Sequence, residues 1–223
     1  LANPRTFELK LGGVRIEEPS DGIIEMRNNY FTLASVTNEL GSKSNGSEIN
    51  TDLWRFGFGM DKGYGYGSKE SPAPSVILQH SSGVHWSKLR VKGPVSSLAD
   101  SALLSLYDAF RFGTKTEAGV SFRVTPLVCI YAGYERSAIF RRHLVWQWVG
   151  SVALEGSAQW ALDKFIDRVM DASPTAAPVV YFLLKNGLSY GVYQLRKEKM
   201  NFPFSSEAPI MNDTFKIGVT FIF

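Results

Sequence analysis

The chain has 223 residues, a net formal charge of +3 and a mean hydropathy of −0.07. Its Lys and Arg residues are scattered, which argues against a nucleic-acid binder with a concentrated basic patch. No stretch of about twenty apolar residues runs free of charge, which excludes a simple membrane-spanning helix. The single Cys129 excludes an internal disulfide. The amino-terminal Leu1-Ala2-Asn3-Pro4-Arg5-Thr6 lacks the basic start and apolar stretch of a signal peptide, so an exported protein is expected here in mature form.

In chain order, residues 6–16 alternate, with Phe7, Leu9 and Leu11 set against Glu8 and Lys10. After Gly12-Gly13 the apolar phase slips to Val14 and Ile16, as a bulge would cause. Pro19-Ser20-Asp21-Gly22 reads as a turn. Residues 23–36 read as extended, with a candidate hairpin break at Asn28-Asn29, and 38–50 as a polar loop. In residues 53–60, Trp54, Phe56, Phe58 and Met60 oppose Arg55, Gly57 and Gly59. Bulky apolar groups against small or charged ones suit a wall that is apolar outside and polar inside. Gly63-Tyr64-Gly65-Tyr66-Gly67 and Pro72-Ala73-Pro74 read as exposed loop. Residues 76–80 and 84–91 read as two strands parted by Ser81-Ser82-Gly83. Leu98, Ala102, Leu106, Ala109 and Phe110 repeat at helical spacing between Ser97 and Gly113, which predicts one short helix over 97–112.

Residues 118–134 form the longest alternation, from Ala118, Val120 and Phe122 through to Ala132 and Tyr134. Pro126 inside it predicts a hairpin corner, an edge or a bulge. From Ser137 the period becomes helical, with a stripe of Val145, Trp148, Val149, Val152, Gly156 and Trp160, then Leu162, Ile166, Val169 and Met170. Ser173-Pro174 ends that helix and can start another. Over 179–195 two rules compete. Asn186-Gly187 is a hairpin signal. Yet Val180, Leu183, Leu184, Gly187, Leu188, Gly191, Val192 and Leu195 fill a helical template. The helix is the fuller match. The spacing therefore predicts a helical insertion at about 138–199, folded as an antiparallel hairpin with Gly187 and Gly191 on its buried face.

Residues 213–223 alternate again, with Phe215, Ile217, Val219, Phe221 and Phe223 on one face. The run Lys216-Ile217-Gly218-Val219-Thr220-Phe221-Ile222-Phe223 resembles the carboxy-terminal β-signal of bacterial outer-membrane β-barrel proteins, a polar-x-Gly-x-x-aromatic-x-aromatic pattern. The resemblance covers eight residues. It implies a transmembrane barrel in the bacterial outer membrane, with lipid as its surroundings. It also implies insertion by the barrel assembly machinery, with Lys216, Gly218, Phe221 and Phe223 as the assembly signal.

Sites of chemistry are sparse. His80 and His85 are five apart across an expected turn with no carboxylate cluster nearby, so neither a metal nor a cofactor is expected. Ser81 and Ser82 beside these histidines are the closest grouping a lipid-modifying enzyme would have. Glu135, Arg136, Arg141 and Arg142 cluster where strand hands over to helix. There Arg141, Arg142, Trp146 and Trp148 are candidate membrane-interface contacts. The expected fold is one mainly antiparallel β domain over 1–223, a transmembrane β-barrel of about eight strands with a helical hairpin and one short helix. The expected role is structural or solute- or lipid-interacting, without catalysis. The alternatives are a soluble α+β barrel binding a small hydrophobic ligand, and a lipid-modifying barrel enzyme. An eight-stranded lumen is filled by its own side chains, so the helices must cap an end or lie outside.

Overall fold

The computed structural model describes residues 5–40, 49–68, 75–92 and 109–222. Seven strands form one antiparallel meander in chain order. They are β1 (Arg5–Ser20), β2 (Ile23–Leu40), β3 (Ile49–Tyr66), β4 (Ser75–Lys92), β5 (Phe110–Thr125), β6 (Val128–Ile139) and β7 (Ile210–Phe221). Between β6 and β7 lie α1 (Val145–Ala172), a 3-10 turn (Pro174–Ala176) and α2 (Ala177–Arg196). The alternation and the 3.6-residue period thus predict the class correctly: mainly antiparallel β with an inserted helical hairpin. Seven strands, rather than about eight, are found among the described residues.

Several small-residue clusters expected to break strands lie inside them. Asn28 and Asn29 pair with Asp61 and Met60 within an unbroken β2, and the Asn28 side chain donates to Asp61 at 3.1 Å. Ser81, Ser82 and Gly83 sit mid-ladder in β4, bonded to β3 on one side and β5 on the other. Gly63, Tyr64 and Gly65 are buried residues of β3 rather than loop. The register passes through Gly12 and Gly13 without a bulge. The phase slip there has another cause: Val14 and Ile16 face the same side as Glu8 and Lys10, and pack on Ile24, Met26 and Ile77. The filling of that side changes from charged to apolar while the strand stays regular. The expected short helix is overturned where it can be seen, because Phe110, Arg111 and Phe112 open β5 and Gly113 is a buried strand residue. The remainder of that expectation, 97–108, lies outside the described residues, as do 41–48 and Pro72-Ala73-Pro74. At Pro126-Leu127 the chain turns from β5 to β6, the corner that proline requires. Gly22 closes the β1–β2 turn at φ +69°, a conformation side chains rarely adopt.

The sheet curls until its two edges come within side-chain reach: Lys216 of β7 meets Glu8 of β1. No backbone ladder joins these edges. The side carrying Glu8, Arg55, Glu135 and Lys216 is therefore concave. The helical hairpin lies on the convex side. Trp148 of α1 stacks edge-on against Phe112 at 4.9 Å. The helix then runs along the wall until Ile166 joins Ile23, Tyr64 and Tyr181. Near the hairpin tip the Tyr66 hydroxyl donates to the Thr175 carbonyl at 2.8 Å. Returning, α2 is tied antiparallel to α1 by Lys185–Asp163 (2.8 Å), Gln159–Ser189 (3.0 Å) and Arg196–Glu155 (2.9 Å).

Candidate functional site

On the concave side, strand parity brings charges from five strands together. Glu8 and Lys10 come from β1, Arg55 and Asp61 from β3, Lys115 and Glu117 from β5, Glu135 from β6 and Lys216 from β7. Arg55 donates to Glu135 at 2.5 Å and to the Ser137 hydroxyl at 3.2 Å. Lys216 meets Glu135 at 2.5 Å, Glu117 at 3.4 Å and Glu8. Lys115 lies 2.9 Å from Glu8 and 3.7 Å from Glu135, and Lys10 reaches Asp61 and Glu117 at 3.9 and 3.8 Å. Four carboxylates thus face four cations, and buried charges need such partners to be tolerated. β2 adds Thr32, whose hydroxyl donates to Glu8 at 2.7 Å. Glu8, Glu117 and Glu135 place oxygens close enough for one cation. Lysine and arginine side chains already fill that role, so the cluster does not need a metal.

Two tyrosines lie across this interior, and glycines make room for them. A Cβ on Gly59 would strike the Tyr30 ring, and one on Gly119 or Gly133 would strike Tyr131. Lys10 sits 4.5 Å from the centre of the Tyr30 ring, and the Tyr131 hydroxyl donates to Glu117. His85 is fully buried on the same side, with neither ring nitrogen hydrogen-bonded. Between the β1 and β7 edges a cavity of about 520 Å³ opens toward this cluster.

The convex side is the reverse. Trp54, Phe58 and Met60 stand exposed, as the alternation predicts, and so do Phe122, Ile130 and Ile217. Positions covered by the hairpin are instead largely polar. His80 presents Nδ1 to the Asn186 side-chain oxygen at 2.9 Å and Nε2 to the Ser189 hydroxyl at 3.4 Å. Arg136 lies 5.3 Å from the Tyr190 ring centre, and the Tyr193 hydroxyl donates to Asp213. The buried face of α2 thus carries Asn186 and Ser189 toward the sheet and Lys185 and Arg196 toward α1, and the outward face carries Val179, Leu183, Tyr190 and Leu195.

This inverts the expected packing. Gly187 and Gly191 are exposed with nothing near them, as is Gly156 of α1. Val145, Val149, Val152 and Trp160 of α1 are exposed too. The 3.6-residue period was correct, but much of the stripe faces away from the protein; Trp148, Leu162, Ile166 and Met170 are the members that pack inward.

The sequence-predicted residues separate. Glu135 is concave and Arg136 convex, so that charged cluster does not exist as one site. Arg142 pairs with Glu207 at 3.2 Å, Arg141 is half-buried, Trp146 is exposed and Trp148 packs against Phe112. Lys216 belongs to the ion network, Gly218 is half-exposed and Phe221 exposed; Phe223 lies outside the described residues. His80 and His85 face opposite sides of β4 and cannot share a ligand. His80 instead gains Ser189 and Asn186, a nucleophile–base–orienter order that sequence spacing did not show. Ser189 is fully buried, also accepts from Gln159, and lines neither described cavity, so the arrangement is packing. The concave network was missed because its members are one or two per strand. Their shared parity, opposite the apolar positions, was the available signal. No protein-family model, curated protein or solved structure matches the chain.

Proposed function

We propose that the chain is an outer-membrane β-barrel protein of Gram-negative bacteria, with strands crossing the bilayer and the helical hairpin against the outer wall among lipid. The carrying observation is reversed polarity. The concave side holds paired charges, while the uncovered sheet and the outward helix faces are apolar. A helix on a protein in water turns its polar face outward; α2 does the opposite. Along α1 the exposed positions from Val145 to Ala161 carry no charge, a span of roughly 26 Å at 1.5 Å per residue. That approaches the ~30 Å of bilayer hydrocarbon. Beyond it Lys164, Asp167, Arg168 and Asp171 are exposed. Among the described residues no helix is long and apolar enough to cross a membrane by itself, and the hairpin does not need to, because its polar face is held by the protein.

The ion network obstructs the lumen, which suits a structural or lipid-interacting protein better than an open pore. A soluble barrel with a hydrophobic ligand would need an apolar concave pocket, and this one is charged. The proposed role of Lys216, Gly218, Phe221 and Phe223 is recognition by the assembly machinery, with Arg141, Arg142, Trp146 and Trp148 at the membrane boundary. The test is partitioning: the protein should float with lipid vesicles, need detergent for extraction, and migrate differently on a gel with and without boiling. A monomer soluble without detergent overturns the reading. Phe221→Ala should then lower the membrane-inserted level in cells while leaving the unfolding midpoint of the refolded protein nearly unchanged. Equal membrane levels would remove the signal role.

A further inference from the structure

The edges β1 and β7 are the least finished part of the wall. Each neighbouring pair in the meander is antiparallel, so with seven strands β1 and β7 run in the same direction. They approach closely enough for Lys216 to reach Glu8, yet share no ladder. The cavity of about 520 Å³ lies between them, lined by Glu8, Lys10, Gly12, Lys216, Gly218 and Thr220 among others. The two most exposed apolar residues of β7 stand well clear of the β5 wall. Phe215 and Ile217 are 84% and 88% exposed, against 39% and 40% for Val120 and Phe122.

We infer that the seam receives one extended polypeptide strand from a partner protein, running antiparallel to both β1 and β7. Its apolar side chains alternate outward and its small uncharged polar ones point inward. The inference rests on the membrane reading, because lipid decides between occupants. Every second residue of an edge strand turns its N–H and C=O to the seam, and hydrocarbon offers those groups no hydrogen-bond partner. A lipid tail cannot bond them, whereas a strand bonds both edges at once. A second copy inserted in the same orientation presents only parallel edges, a slightly weaker pairing. The inward side chains must be uncharged because the four carboxylates and four cations beneath are already matched.

Glu8 and Lys216 stand at one level, so Leu9 and Ile217 flank the seam on the outside. The experiment uses the full chain in a Cys129→Ser background, folded in detergent and in vesicles, with Leu9→Cys, Ile217→Cys or the control Phe58→Cys on β3. The probe is a twelve-residue peptide alternating Val or Leu with Thr or Ser, carrying one central activated cysteine. A peptide of the same composition with its apolar residues in one block is the control. Mixed-disulfide adducts should form at 9 and 217 at least tenfold faster than at 58, and at least tenfold faster than with the blocked peptide. In the Leu9→Cys/Ile217→Cys double variant no direct disulfide should form. A strand-wide gap separates Cα atoms by two spacings, roughly 9–10 Å, beyond the roughly 7 Å a disulfide spans. Equal adduct rates at all three positions, a direct 9–217 disulfide, or a disulfide-linked dimer of the chain overturns the inference. Flotation of the same samples is scored separately: protein that floats but fails these assays loses only the seam, and protein that does not float loses the membrane reading.

Discussion

The convex face has two regions, and their polarity is opposite to that of a water-soluble protein. Where the helical hairpin covers the sheet, the sheet offers Lys62, His80, Arg136 and Asp213, and the helix answers with Asn186, Ser189 and Tyr193. Where nothing covers it, the sheet offers Trp54, Phe58, Met60, Phe122 and Ile217. Apolar contacts between helix and sheet gather around Ile23, Tyr64, Ile166 and Tyr181, and around Phe140, Trp148 and Met200. Covered polar and uncovered apolar surface is the arrangement expected when the surroundings bond less well than the protein does. In water the same hairpin would exchange good hydrogen bonds to solvent for equivalent internal ones and leave its greasy face wet.

The largest effect is expected on the concave side, where Arg55, Lys115, Glu117 and Glu135 are buried. Glu135→Gln strands the buried Arg55 guanidinium and weakens the hold on Lys216 and Lys115. Breaking a buried pair from one side costs about 3–5 kcal/mol. The urea midpoint of the folded protein should fall accordingly, and an unchanged midpoint would mean that water already reaches the network.

Next in size, and decisive for the uncovered region, is Phe58→Lys. Facing the middle of a bilayer, a lysine costs about 2–4 kcal/mol. On a water-exposed strand the change stays within about 0.5 kcal/mol. Unfolding followed in lipid vesicles separates the two, and a small loss there would break the comparison.

How far the sequence carried the reading follows from the same contrast. Strand faces were legible because period two fixes the two faces against each other: once Arg55, Gly57 and Gly59 oppose Trp54, Phe56 and Phe58, only the direction of the core is open. Strand ends were less legible, since Ser81-Ser82-Gly83 and Gly63–Tyr66 have turn composition. Such glycines serve neighbours instead, Gly63 meeting Gln79 and Ile77, and Gly83 the β3 backbone. The helix faces were misread for a physical reason. A 3.6-residue stripe states that two faces differ, and the environment decides which is buried. The interior network was not legible as a site because it is assembled across six strands.

For the covered region the probe is Asn186→Ala. His80 Nδ1 loses its partner, and the bonds from Asn186 to the Gln79 and Phe182 carbonyls go with it. A buried polar group left unpaired costs about 1–3 kcal/mol. Hydrogen exchange should rise first in α2 while the ladders of β2 to β6 stay protected. Uniform loss of protection would mean that the hairpin and the wall unfold as one unit.

The smallest effect is expected at the two glycines of α2. Had they lain where the helices meet, Gly187→Leu and Gly191→Leu would each insert bulk into a close contact, at about 1–3 kcal/mol. Both instead face outward with open space where a Cβ would be built. Glycine inside a helix is less favourable than alanine by about 1 kcal/mol, and leucine is nearly as good as alanine. Each substitution should therefore leave stability unchanged or raise it slightly, in detergent and in vesicles alike. Solubility tells the two environments apart. In lipid an added leucine joins Leu183, Tyr190 and Leu195 on a surface that is already apolar. In water it would enlarge an exposed apolar patch and promote association. Equal unfolding midpoints with monodisperse, detergent-solubilised protein are the expected pair of results. A loss above about 1 kcal/mol at either glycine would place the buried face of α2 where its apolar stripe lies.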